Sequence, residues 1–153
     1  MVDSDSPRTL LELIERTDRQ WRAWVDAVEG IPDGRLAEPM VGHWTGKDLL
    51  GHVAFWEDWV IGECQRILAG EPNTEDDLDP LNQSQVAERK DQSVAAQKRY
   101  RDEAHDRLMT FLSTIPADTP HFSALVTALE WETYKHYDEH AAEVLAWREA
   151  ASI

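Results

Sequence analysis

Apolar residues recur at intervals of three and four along most of this chain, the signature of helices that each bury one face. In the first segment Leu10, Ile14, Thr17, Trp21, Trp24, Val25 and Val28 form such a stripe, with Ser6 as the expected N-cap, Pro7 at the first helical position, and Gly30 and Pro32 as the stop. Thr45 and Asp48 have capping-box spacing, so a second helix is expected from about 46 to 69, halted by Gly70. Its apolar positions Leu49, Val53, Val60 and Ile67 are interleaved with His52, Trp56 and Trp59. An acidic, turn-rich stretch follows. Residues 83–114 then read as helix, a short piece to about 91 and a longer one capped by Ser93, with Leu108, Phe111, Leu112 and Ile115 marking a buried face. "IPADTPH" interrupts the pattern, and a last helix is expected over 123–150. No strand-like alternation of useful length and no repeat occurs. The expectation is an all-α, four-helix bundle with long connections, one domain spanning 1–153.

Composition supports a real core, since 42% of residues are hydrophobic and seven are Trp. The net charge of −15 argues against phosphate backbones and anionic membrane surfaces, so neither nucleic acid nor membrane is expected as a partner. There is no apolar run of the roughly 20 residues that spanning needs, and the N-terminus lacks a signal-like basic head and apolar middle. A single cysteine, Cys64, leaves no intrachain disulfide, and a cytoplasmic location is expected. It reads as a buried, inert thiol.

The candidate chemistry lies in histidines. In "TYKHYDEHAAEVLAW" His136 and His140 are one turn apart, and Leu129, Val144 and Trp147 share their stripe. His52 stands among Leu49, Trp56 and Trp59 in the same way. A lone histidine on an apolar face is usually a satisfied core residue. Three on two facing helices can meet at one metal ion, with an open coordination position left over. His43 and His121 fall in loops, and His105 lies in "RDEAHDR" on what reads as a polar face, so all three are expected at the surface. "HYDEH" matches the inverted zinc-protease motif, but only 13 residues follow His140, too few for the distant ligand those enzymes need. The Glu-x-x-His pairs of di-iron bundles are absent. Glu57, Glu63, Glu132 and Glu143 lie near enough to orient an imidazole or take a proton, yet each reads first as a solvated carboxylate, as does Glu139.

"HWTGKDLLGHVAFWEDW", the acidic loop ending in "LNQ", and "YKHYDEHAAEVLAW" together resemble the DinB-like (YfiT-like) four-helix-bundle superfamily, nearest the ClbS/DfsB-like branch that includes colibactin self-protection proteins. The resemblance implies metal ligands at His52, His136 and His140, a divalent ion such as zinc or nickel, and often a dimer. Trp44, Trp56 and Trp59 are the candidates to line a pocket beside that site, and the resemblance adds Asn82. Activities in the superfamily are thiol-dependent transfers and isomerisations, with a low-molecular-weight thiol as co-substrate, and hydrolysis of an electrophilic ring. The expected function is therefore a metal-dependent hydrolase or thiol-dependent transferase acting on a small electrophile. Two alternatives stand beside it, a non-catalytic small-molecule-binding or stress-protection protein and a structural bundle with paired histidines.

Overall fold

The computed structural model describes residues 5–153, and among them six α-helices, one 3-10 turn (Arg35–Ala37) and one two-stranded ribbon occur: α1 (Leu10–Val28), β1 (Pro39–Val41), β2 (Trp44–Thr45), α2 (Gly46–Leu68), α3 (Asp79–Glu88), α4 (Val94–Leu112), α5 (Phe122–Glu132) and α6 (Tyr134–Ala151). The bundle consists of α1, α2, α4 and the α5–α6 pair, as the apolar periodicity predicts. Helix α2 is central, packing on α4 and α5, while α6 packs on α1. Leu13, Trp24, Leu49, Leu50, Val60, Leu108, Leu112, Leu125 and Leu129 are fully buried between them.

The ends of the helices follow local chemistry. Thr45 and Asp48 form the expected capping box, with the Thr45 hydroxyl accepting from Asp48 N at 3.1 Å and the Asp48 carboxylate accepting from Thr45 N at 3.0 Å. Ser93 caps α4 by accepting from Ala96 N. Helix α1 departs from expectation and starts at Leu10, not at Pro7. Thr9 accepts from Glu12 N while Glu12 accepts from Arg8 N, a T-x-x-E arrangement that outcompetes Ser6. The short ribbon in the 39–45 connection was not legible as alternation. Its two-residue turn places Gly42 at φ 58, a conformation that costs glycine little.

The largest difference is at Thr133. The predicted single last helix is two, because Thr133 adopts φ −126, ψ −101. Its hydroxyl donates to Leu129 O at 2.6 Å, a back-bond that bends helices. The break lets α5 lie on α2 and α6 on α1. Among the described residues no helix is long and apolar enough to cross a membrane.

Candidate metal centre and adjoining cavity

His52 comes from the middle of α2, and His136 and His140 from the first two turns of α6. Their neighbours dictate their direction: Leu49, Val53, Tyr137 and Val144 are essentially unexposed, and the three imidazoles on the same faces are each less than a tenth exposed. Nε2 of His136 lies 2.9 Å from Nε2 of His52 and 2.9 Å from Nε2 of His140. One donor atom from each of the three falls within 4.8 Å of the others.

Burial, and the neighbouring imidazoles, penalise charge on this cluster. The pKa of His52 is pushed down to about 3 and that of His140, by burial, to about 4; burial and the two neighbouring imidazoles hold His136 well below its ordinary value. All three rings are therefore neutral at pH 7, the state a metal requires of a histidine. Three nitrogens around a tetrahedral ion at about 2.0–2.1 Å stand roughly 3.3 Å apart, so a small outward movement of the rings admits one. Three imidazoles suit zinc, nickel, iron or copper. One further observation fits: Nδ1 of His136 is buried without a hydrogen-bond partner, and Nε2 of His136 has only the other two imidazoles.

The far sides of the other two rings face polar side chains. Nδ1 of His52 lies 3.0 Å from Nε2 of Gln85, a buried residue of α3. The Glu143 carboxylate stands 2.7 Å from Nδ1 of His140 but off the hydrogen-bonding direction, so neither atom has a hydrogen-bond partner.

A cavity of about 330 Å³ opens onto the three histidines, walled by Trp44, Trp56, Leu78 and Asn82 and carrying the carboxylates of Asp79, Glu132 and Glu139. The Trp56 indole donates to Asn82 Oδ1 at 2.8 Å, tying α3 to α2. Trp44 tilts over His52 with ring centroids 4.6 Å apart. Trp59 packs edge-on against Trp56 and does not line the cavity. Glu139 is exposed, as its helical angle from His140 suggests, but it stands on the cavity wall. Glu132, desolvated and facing the buried Glu63 carboxylate, has its pKa pushed up to about 7. Cys64 is buried, its thiol raised to about 12, and takes no part.

Sequence reasoning missed Gln85, which sits one turn after Asn82 on a short helix with little apolar patterning. It also misplaced His105, which is 3% exposed and not on a polar surface. Its Nδ1 lies 3.0 Å from Glu57 Oε2, its Nε2 3.1 Å from Asp18 Oδ1, and Trp21 stacks on the ring at 3.9 Å. The charged residues around it in the sequence point elsewhere, and its carboxylate partners are contributed by other helices.

A family model of the DinB superfamily matches residues 16–150. Among solved structures, an uncharacterised protein from Escherichia coli UTI89 superposes with a TM-score of 0.82 at 15% identity, covering 99% of each chain. Sibling Lethal Factor Precursor, DfsB, gives 0.77 at 17% identity over 95% of this chain and 98% of its own. Colibactin self-resistance protein ClbS, solved in complex with dsDNA, gives 0.77 at 14% identity over 90% of this chain and 94% of its own. No curated protein matches the chain. The ClbS complex overturns the expectation that nucleic acid is excluded as a partner, because a protein of this fold has been solved on a duplex. The physical error was to read a whole-chain sum as a surface property: contact with DNA depends on the local field of one face, which a net charge of −15 does not describe.

Proposed function

Because the chain belongs to the DinB superfamily, we propose that it holds a divalent ion, zinc or nickel, on His52, His136 and His140 and acts on a small electrophilic molecule in the adjoining cavity. The observation that carries this reading is the convergence of three buried imidazoles, each kept neutral, beside a cavity of substrate size. A divalent ion there supplies Lewis acidity to an electrophile. Trp44 and Trp56 provide flat apolar walls, and Asn82 fixes the Trp56 indole. Glu132 is suited to move a proton at neutral pH, since burial brings its pKa to about 7.

Hydrolysis is favoured over thiol transfer by the cavity's charge. Its walls carry Asp79, Glu132 and Glu139 and no lysine or arginine, which repels a carboxylate-bearing thiol such as glutathione. The description of ClbS as a self-resistance protein supports a protective role, in which a toxic electrophile is consumed. The same role without turnover is the second reading, and the shared cavity supports it equally.

Elemental analysis of purified protein tests the centre: one equivalent of ion is expected in the wild type and little in His52→Ala, His136→Ala or His140→Ala. Unchanged metal content in those variants sinks the proposal. Incubation with reactive epoxides, with and without glutathione, then separates the reactions. Product exceeding one equivalent per protein without thiol supports hydrolysis; product capped at one equivalent supports sequestration.

A further inference from the structure

The tautomer of a metal-binding histidine is set by what its second nitrogen touches. For His52 that group is the side-chain amide of Gln85, 3.0 Å from Nδ1 and 1% exposed. We propose that Gln85 is the positioning residue that fixes the proton of His52, and that its amide must turn over before His52 can bind an ion through Nε2. The inference rests on the metal reading above for its second half only.

The amide presents its NH2 group to Nδ1 of His52, so Nδ1 accepts. A neutral imidazole has one donor and one acceptor nitrogen, and the ring proton therefore sits on Nε2. There it can be donated to Nε2 of His136, 2.9 Å away. This tautomer is incompatible with ligation through Nε2, because Nε2 must be bare to bind a metal.

Arg89 holds the amide in that orientation. Its guanidinium donates to the Gln85 carbonyl at 3.2 Å and to Gln85 Oε1 at 3.3 Å. Arg89 is itself fixed, donating to the Tyr100 hydroxyl at 2.9 Å and lying 4.4 Å from the Tyr100 ring centroid. A guanidinium has no acceptor, so it tolerates Oε1 but not the NH2 group on its side. When the amide turns, Oε1 accepts from Nδ1–H of His52, Nε2 becomes available to an ion, and the contact between Arg89 and Oε1 is lost. The backbone contact and the Tyr100 contact survive. Tyr100, Arg89 and Gln85 thus form a chain from α4 through α3 that biases the centre toward its metal-free state.

Gln85→Glu removes the bias, because a carboxylate accepts from Nδ1–H and from Arg89 at once. Long-range 1H–15N spectra of the histidine rings, recorded on chelator-treated protein at pH 7.5, read the result directly. The wild type is expected to show His52 protonated on Nε2, and Gln85→Glu to show it on Nδ1. Zinc affinity, measured by competition with a chromogenic chelator, should tighten in Gln85→Glu by about 10–100-fold. A carboxylate also attracts a dication, so the tautomer and not the affinity decides. Nδ1 protonation of His52 in the metal-free wild type overturns the inference, as does an unchanged His52 tautomer in a folded Gln85→Glu protein. Absence of zinc binding by the wild type overturns the metal reading, and the ring spectra still decide what Gln85 does. If Gln85→Glu does not fold, Arg89→Met supplies the test: removing the guanidinium frees the amide, and Nδ1 protonation of His52 should rise.

Discussion

Replacing His105 with Leu tests whether the bundle relies on a polar clamp at its centre. His105 of α4 bridges Glu57 of α2 and Asp18 of α1 at 3.0 and 3.1 Å, with the indole of Trp21 parallel to its ring within 2°. Glu57 is fully buried, and burial pushes its pKa up even though His105 and Tyr137 pull it down. Each ring nitrogen of His105 thus faces one carboxylate. Without His105, Glu57 keeps only the Tyr137 hydroxyl nearby, which does not meet hydrogen-bond geometry. Removing one partner of such a buried pair costs about 3–5 kcal/mol, a large part of the roughly 5–15 kcal/mol that holds a domain together. For a chain of this size the loss corresponds to a fall in Tm of about 10–15 °C. Urea unfolding followed by far-UV circular dichroism measures it, with exposed His43→Ala as a control expected within about 0.5 kcal/mol of wild type. The double variant His105→Leu/Glu57→Leu should recover much of the loss, because it removes the stranded carboxylate with its partner. A loss below about 1 kcal/mol in His105→Leu, or a double variant worse than the sum of the singles, refutes the reasoning.

The remaining predictions concern the histidine centre and its cavity. In metal-free protein the depressed pKa values of His52 and His140, about 3 and 4, mean that the unfolded state binds more protons below its own value near 6.5. Stability should therefore fall as pH drops below about 6.5, by ~2 kcal/mol per imidazole at pH 5, and urea midpoints across pH 5–8 check it. Glu132 acts in the opposite sense, because its raised pKa favours the folded state below about 4.5 and the benefit is lost as pH rises toward about 7. Glu132→Gln should stabilise the protein at pH 7.5 by ~1–3 kcal/mol, measured by urea unfolding, while reducing turnover of an electrophilic substrate. Asn82→Ala removes the acceptor of the Trp56 indole and should cost about 1 kcal/mol, with a shift in tryptophan fluorescence. Excess zinc at 100 times its Kd should raise unfolding free energy by about 2.7 kcal/mol in the wild type and not in His136→Ala.

Apolar periodicity was enough to read the bundle, since Leu49, Val53, Leu108 and Leu112 face the core at the spacing that a helix imposes. The same logic brought His52, His136 and His140 together, because a polar residue fixed in an apolar stripe has to point inward. Features decided by contacts between distant segments were not legible. His105 is flanked by charges, and only the fold supplies Asp18 and Glu57, 87 and 48 residues away. Gln85 belongs to a helix too short and polar to show a face, so its approach to His52 depends on how α3 lies across α2. The exclusion of nucleic acid failed for a related reason, since composition carries no information about position.

The break at Thr133 has an evolutionary consequence. In one continuous helix, any inserted or deleted residue before His136 would rotate both histidines by about 100° and dismantle the centre. With α5 and α6 as separate helices, the rotational phase of α6 is set by its own packing on α1. The loop before α5, and the α5 positions other than the buried Leu125 and Leu129, can then vary and reshape the cavity wall at Glu132 while the histidines keep their register.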